Sequence, residues 1–113
     1  MAPELARAIK RFVEARPYVV AIYDLLAKVR IALQKGYFLD LYYNATLGKY
    51  AYTLVRLDRR VLSWDNAPHH PGLANFPHHF HCEDSSIGSS DLKGKPKQNI
   101  DHIITAVNEI LGR

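Results

Sequence analysis

The fold is decided by the stretch YFLDLYYNATLGKYAYTLVRLDRRVLSWD, residues 37–65. Three runs within it, at 37–44, 49–57 and 61–65, are rich in tyrosine and branched aliphatic residues, which are favoured in strands. The connections between the runs hold only three or four residues. Because loops this short join neighbouring antiparallel strands, the stretch predicts three strands of an antiparallel meander.

Residues 18–34, which precede this stretch, have an ambiguous pattern. Apolar residues occupy the odd positions throughout, as in a strand, yet several of them also lie at helical spacing. We expect a strand at least over 27–34, because Lys35-Gly36 is a hairpin signal directly before the next run. Residues 18–26 stay open between strand and helix. The predicted sheet then has four strands.

An amphipathic helix is predicted at each end of the chain. Residues 4–15 carry an apolar stripe at helical spacing, and residues 100–111 carry another, with Asn99 as the expected N-cap and Gly112 just past the end. The predicted fold class is α+β, a four-stranded antiparallel β-meander with an N-terminal and a C-terminal helix packed on one face. The 113 residues are expected to form a single domain, 1–113.

The charge is unevenly distributed along the chain. Residues 1–60 hold eleven Lys and Arg against five acidic residues, a net charge of +6, whereas residues 61–113 hold four against six, a net charge of −2. A basic half can mark a surface for nucleic acid or an acidic partner. Ordinary solubilising charge explains the imbalance equally well, and the sequence leaves both interpretations open.

Cellular location is predicted from three features. The N-terminal MAPELARAIKRF has no apolar core of the kind that a signal peptide needs, and no apolar run approaches the roughly 20 residues of a membrane span. Cys82 is the only cysteine, which excludes an intramolecular disulfide and fits a reducing compartment. We therefore expect a cytoplasmic protein without membrane association.

The most unusual segment is WDNAPHHPGLANFPHHFHC, residues 64–82. It holds five of the six histidines of the chain within thirteen residues, namely His69, His70, His78, His79 and His81. Proline and glycine interrupt the regular pattern from here to residue 98. A stretch without regular structure of this length is uncommon in a compact domain, which indicates a functional segment.

Three interpretations of the histidines compete. In the first, the imidazoles transfer protons, because both their protonation states are populated near neutral pH. Metal-free RNA cleavage needs such a pair and a nearby cation, with Asp65 to orient an imidazole. In the second, His79 and His81 share a face of an extended segment and bind zinc together with Cys82, although the spacing matches no established zinc motif. In the third, the imidazoles only satisfy loop carbonyls.

The motif W-D-N-A-P-H-H-P at 64–71, followed by F-P-H-H-x-H at 76–81, resembles the signature of the TumE-like toxins of prokaryotic toxin–antitoxin pairs. The resemblance extends to the preceding hairpins and the closing helix. The chain departs from the family pattern at Phe80 and at Cys82-Glu83. What the resemblance implies is a small toxic protein held in check by a partner, typically a helix-turn-helix antitoxin.

The leading hypothesis is therefore a TumE-like toxin that cleaves RNA by metal-independent acid–base catalysis and has no cofactor. The expected catalytic set is His69, His70, His78, His79, His81 and Asp65. Trp64, Asn66 and Phe76 are the expected substrate-binding residues, with Trp64 or Phe76 stacking on a base. The alternative is a non-catalytic module that binds zinc through His79, His81 and Cys82, or that binds another protein. An unpaired edge strand is compatible with a homodimer.

Overall fold

The computed structural model describes residues 2–15, 18–90, 92 and 94–112. In this part of the chain, two α-helices flank an antiparallel sheet of seven strands. The helices are α1 (Pro3–Glu14) and α2 (Pro96–Leu111), and the strands are β1 (Val19–Asp24), β2 (Val29–Leu33), β3 (Tyr37–Asn44), β4 (Lys49–Arg56), β5 (Arg59–Asp65), β6 (His79–His81) and β7 (Ile87–Ser89). The α+β class with two terminal helices is confirmed, but the expected number of four strands is wrong.

The three additional strands lie at the two ends of the meander. In the ambiguous segment 18–26, β1 forms a strand that ends at Asp24, two residues before Leu26, which has a positive φ of 69°. β6 and β7 have three residues each, which is too short to produce a periodic pattern in the sequence. The spatial order of the strands is their order along the chain, so every connection joins neighbours.

Side chains alternate between the two faces of this sheet. One face, called the core face here, carries Leu39, Leu54 and Leu62 side by side on β3, β4 and β5. Phe12 of α1 and Ile103 of α2 belong to the same buried cluster as these leucines. Both helices therefore contribute to the hydrophobic core on this face.

The opposite face, called the polar face here, carries a row of polar residues across five strands. Cross-strand pairing places Arg30, Asp40, Thr53, Ser63 and His81 in one line from β2 to β6. The Thr53 and Ser63 hydroxyl oxygens lie 3.1 Å apart. The row connects the basic strand β2 with the histidine strand β6.

Asp40 is the acidic member of this row. Its carboxylate accepts two hydrogen bonds from Arg30, of 2.8 and 3.0 Å, and one of 2.8 Å from Lys28. Burial alone would raise the pKa of Asp40, but these hydrogen bonds and the two positive charges hold it below its ordinary value. Asp40 is therefore ionised at neutral pH and neutralises part of the basic charge of β2.

The closing helix begins earlier than the sequence indicates. α2 starts at Pro96 with Lys95 as its N-cap, so Asn99 is a buried residue of the first turn, and the expected cap at Asn99 is wrong. Proline suits this first position because its missing N–H would have no intrahelical partner there. Gly112 closes the helix in a right-handed conformation, with φ −82°. None of the described helices is long and apolar enough to cross a membrane.

Gly94 anchors the turn before α2 onto the sheet. Its φ is +92°, and a Cβ added there would lie 2.4 Å from two ring carbons of Tyr50. The Tyr52 hydroxyl donates a hydrogen bond to the Gly94 carbonyl. Only glycine satisfies both the backbone conformation and this close approach.

Replacing Gly94 with alanine is expected to destabilise the protein more than Gly48→Ala. Both glycines have a positive φ, which costs alanine about 1–2 kcal/mol. Only Gly94 faces a ring, so its variant carries an additional overpacking cost of about 1–3 kcal/mol, whereas Gly48 has nothing within 4 Å. Urea denaturation measures both variants, and equal losses would show that the turn does not pack on Tyr50.

Asp40→Asn is expected to lower the free energy of unfolding at pH 7 by about 1–2 kcal/mol, because it removes the charge that Arg30 and Lys28 contact. Since the folded-state pKa is depressed, the carboxylate stabilises the fold above its ordinary pKa and loses this effect as the pH falls. The difference from wild type should therefore shrink towards about pH 3. Asp58→Asn, in an exposed turn, is the control. A difference that does not change with pH would contradict the ion pairing of Asp40 with Arg30 and Lys28.

Candidate functional site

The candidate site is formed where β5 pairs with β6. In this pairing Asp65 lies opposite His79, and Ser63 lies opposite His81. Residues i and i+2 of a strand point to the same face, so both imidazoles and the Asp65 carboxylate lie together on the polar face. His79 and His81 are only 2% and 8% exposed. The strand pairing therefore buries two histidines beside one carboxylate.

The three side chains converge on one point. His79 Nε2 lies 2.9 Å from Asp65 Oδ1, His81 Nε2 lies 3.6 Å from Asp65 Oδ2, and the two Nε2 atoms are 3.1 Å apart. In neutral imidazole only one ring nitrogen carries a proton. A proton on one of the facing nitrogens, or a cation between them, would reduce the repulsion among these closely spaced acceptor atoms.

Backbone groups orient two of the three side chains. His79 Nδ1 lies 3.1 Å from the Pro77 carbonyl oxygen. A carbonyl only accepts hydrogen bonds, so Nδ1 carries a proton and Nε2 presents its lone pair to the cluster when the ring is neutral. The Ala67 N–H donates a 3.0 Å hydrogen bond to Asp65 Oδ1. Both contacts come from the irregular segment between β5 and β6.

The surroundings of His81 disfavour the protonated form of its imidazole. Burial lowers the pKa of its imidazole, and the positive charge of Arg60 lowers it further, while Asp65 opposes the shift. The ring is therefore neutral at pH 7. Its Nδ1 is buried and has no hydrogen-bond partner among the residues that the structure describes.

His70 completes the cluster from the loop side. Its ring packs edge-on against His79, with ring centroids 4.9 Å apart, and lies 6.2 Å from the ring of His81. It is half-buried and borders a shallow cavity of about 300 Å³ lined by Gly72, Leu73 and Ile87. The His70 ring is therefore accessible to solvent beside the buried pair.

The remaining two histidines of the predicted catalytic set lie elsewhere. His78 Nδ1 lies 2.9 Å from the hydroxyl of Tyr50, and the two rings stack. Burial raises the pKa of Tyr50 far above its ordinary value, so the phenol stays protonated. His69 is exposed, with its ring 6.5 Å from that of His70. The structure thus groups His70, His79, His81 and Asp65, and separates His69 and His78 from them.

The predicted substrate-binding residues differ in their accessibility. Trp64 is 1% exposed and packs against Phe80 on the core face, so its ring does not offer a stacking surface there. Asn66 accepts a hydrogen bond from the Tyr50 N–H and donates one to the Gly48 carbonyl, which ties the end of β5 to β4. Phe76 is 43% exposed in the loop and is accessible to a ligand.

Cys82 does not join His79 and His81. It borders a cavity of about 400 Å³ beside Leu62, Phe80 and α2, on the core side of the sheet. The strand alternation that brings residues 79 and 81 together turns residue 82 away. Among the described residues, the group whose ligand atoms lie within 4.8 Å of one another is Asp65, His79 and His81, so Asp65 takes the position that the sequence-based alternative gave to Cys82.

A third cavity, of about 520 Å³, borders the cluster at Asp65. It is lined by apolar and polar groups that include Tyr42, Lys49, Pro68 and His69. Tyr42 and Lys49 are not among the site residues predicted from the sequence, and neither is Arg60, whose charge acts on His81. Alternation along β3, β4 and β5 predicts which residues of one strand share a face. Which residues meet across neighbouring strands depends on the register, which the sequence alone does not give.

Comparison with known families identifies the chain. The family model described as toxin TumE matches residues 5–111, which is nearly the whole chain. No curated protein and no solved structure that was compared with the chain matches it. The match includes the histidine segment, both helices and all seven strands. The chain therefore belongs to the TumE family of toxins and is the toxin component of a toxin–antitoxin pair.

Proposed function

We propose that this toxin cleaves RNA at the cluster of Asp65, His70, His79 and His81. The observation that carries the proposal is the convergence of two buried imidazoles and a carboxylate, with a third, half-buried imidazole beside them. Burying such groups costs free energy unless they are paired, and a cluster of this kind is more common at reaction sites than in a structural core.

RNA cleavage matches what these groups can do. A base removes the proton of a ribose 2′-hydroxyl, the resulting oxygen attacks the adjacent phosphorus, and the bond to the 5′-oxygen breaks. The leaving 5′-oxygen takes up a proton delivered by His79, the imidazole next to His70, and the products are a 2′,3′-cyclic phosphate and a 5′-hydroxyl. His70 is the proposed base because it is the cluster imidazole nearest to solvent. Arg60, whose positive charge acts on His81, is the proposed cation that stabilises the phosphate in the transition state.

The surroundings of the cluster support a nucleic-acid substrate. Arg60 lies near enough to affect His81, and the polar row leads from there to Arg30 and Lys28. These cations can contact phosphates, since phosphate contacts dominate nucleic-acid affinity. The adjoining cavity, with Tyr42 and Lys49, is large enough to receive one nucleotide unit.

Two partner assignments and a cellular location accompany this proposal. Membership in the family implies an antitoxin, and we propose that it is of the helix-turn-helix type. Cytoplasmic location follows as a proposal from the RNA substrate. For a homodimer, we propose pairing through β1, the first strand of the sheet, where Val20 and Tyr23 are more than half exposed.

His70→Ala and Asp65→Asn are expected to abolish toxicity in growing cells and to slow RNA cleavage by the purified toxin. Loss of a general base typically costs about 10²–10⁴-fold in rate. An RNA oligonucleotide with a single 2′-deoxy nucleotide at the cleaved position should resist the wild-type protein, because the attacking hydroxyl is missing. Gel analysis of end-labelled substrate measures both effects.

His102→Ala is the matched histidine control. His102 lies on α2 and meets Trp64 edge-on, away from the cluster, so this variant is expected to keep the wild-type rate. Circular dichroism verifies that each variant is folded. Full toxicity of the His70 and Asp65 variants, or cleavage of the deoxy-substituted substrate at the same position, contradicts the proposal.

A further inference from the structure

We infer that Asp65, His79 and His81 bind one divalent transition-metal ion. Binding itself depends only on the geometry of these three residues, whereas a part for the ion in RNA cleavage rests on the proposed function. A metal ion, and not only a proton, then lies between the facing nitrogen and oxygen atoms of the cluster. The inference also replaces Cys82 with Asp65 in the ligand set.

The spacing of the ligand atoms is close to what one ion requires. Two atoms that are each about 2.1 Å from an ion lie about 3.0–3.4 Å apart at the angles of octahedral and tetrahedral coordination. The two Nε2 atoms are 3.1 Å apart, His79 Nε2 lies 2.9 Å from Asp65 Oδ1, and His81 Nε2 lies 3.6 Å from Asp65 Oδ2. Both carboxylate oxygens thus face the imidazole pair, and one ligand atom from each residue lies within 4.8 Å of the others.

Two of the three ligands have the supporting hydrogen bonds that are usual in a metal site, whereas His81 Nδ1 has no partner among the described residues. A ligating imidazole usually donates its other N–H to a carbonyl or carboxylate, which fixes the ring and its tautomer. His79 does so through Nδ1 to the Pro77 carbonyl, at 3.1 Å. The Asp65 carboxylate is held by the Ala67 N–H at 3.0 Å. These two contacts leave the lone pairs of Asp65 and of His79 Nε2 directed at the same point.

The ligand types restrict the ion. Two imidazole nitrogens and one carboxylate oxygen suit Zn²⁺, Fe²⁺, Co²⁺ or Ni²⁺, whereas Mg²⁺ and Ca²⁺ prefer oxygen ligands alone. Three protein ligands also leave at least one coordination position for water or substrate, as in catalytic rather than structural zinc sites. The half-buried His70 lies next to these ligands, with its ring centroid 4.9 Å from that of His79.

Zinc titration of the full-length protein, produced without a histidine tag and freed of metal by a chelator, tests the inference. Isothermal calorimetry is expected to show one Zn²⁺ per chain for the wild type. Asp65→Asn, which keeps the shape of the side chain, and His81→Ala should weaken binding by at least about 100-fold. Cys82→Ser and His102→Ala should bind like wild type. Co²⁺ substitution should give a visible absorption band that Asp65→Asn loses.

Thermal unfolding provides a measurement that does not depend on activity. Saturating Zn²⁺ should raise the melting temperature of the wild type and of Cys82→Ser, because the ion binds the folded state. It should leave that of Asp65→Asn unchanged. The inference is overturned if the folded wild type binds no Zn²⁺ or Co²⁺, if Asp65→Asn binds like wild type, or if Cys82→Ser loses binding.

Cleavage assays separate the inference from the proposed function. Metal bound at these residues without RNA cleavage supports the site and contradicts the function. Cleavage that persists after metal removal, by a protein that binds no metal, supports the function in its metal-independent form and overturns the site. Cleavage that is lost with the chelator and restored by one equivalent of metal supports both.

Discussion

The antiparallel pairing of β5 with β6 is the constraint on which the candidate site depends. It sets Asp65 against His79 and Ser63 against His81, and thereby gathers on one face residues that are 14 to 18 positions apart in the chain. β6 is only three residues long, so its position depends on its neighbours. Trp64 and Phe80, paired on the core face at the same register, contact each other with ring centroids 5.2 Å apart and hold the short strand in place.

The segment 64–82 therefore contributes side chains to both faces of the sheet. Trp64 and Phe80 pack in or against the hydrophobic core, while Asp65, His79 and His81 form the polar cluster. The loop between the strands contributes the Ala67 N–H and the Pro77 carbonyl, which orient the ligating atoms. A further contact, between His78 and Tyr50, ties the entry of β6 to β4. Aromatic and histidine residues alternate here because the strand must satisfy both environments.

Sequence patterns predicted the two helices and strands β2 to β5, because each has at least five residues and shows a period or follows a clear turn signal. β6 and β7 escaped prediction because three residues cannot show alternation, and β1 stayed ambiguous because its apolar residues fit two periods. The segment that holds the site was identified from its clustered histidines, its irregular pattern and its family-like motif. The division of those histidines, with His79 and His81 buried together and His78 turned to Tyr50, depends on a register that a single sequence does not contain.

The unknown strand register also explains why the sequence indicated Cys82, and not Asp65, as the third ligand beside His79 and His81. Cys82 is next to His81 in the chain, but adjacent strand residues point to opposite faces, whereas Asp65 is brought in by pairing.

The most direct measurement is an X-ray anomalous difference map at the zinc edge, from crystals grown with one equivalent of Zn²⁺. Our account predicts a single strong peak about 2.0–2.2 Å from both Nε2 atoms and a carboxylate oxygen of Asp65. A peak at Cys82, or none at the cluster, would contradict it.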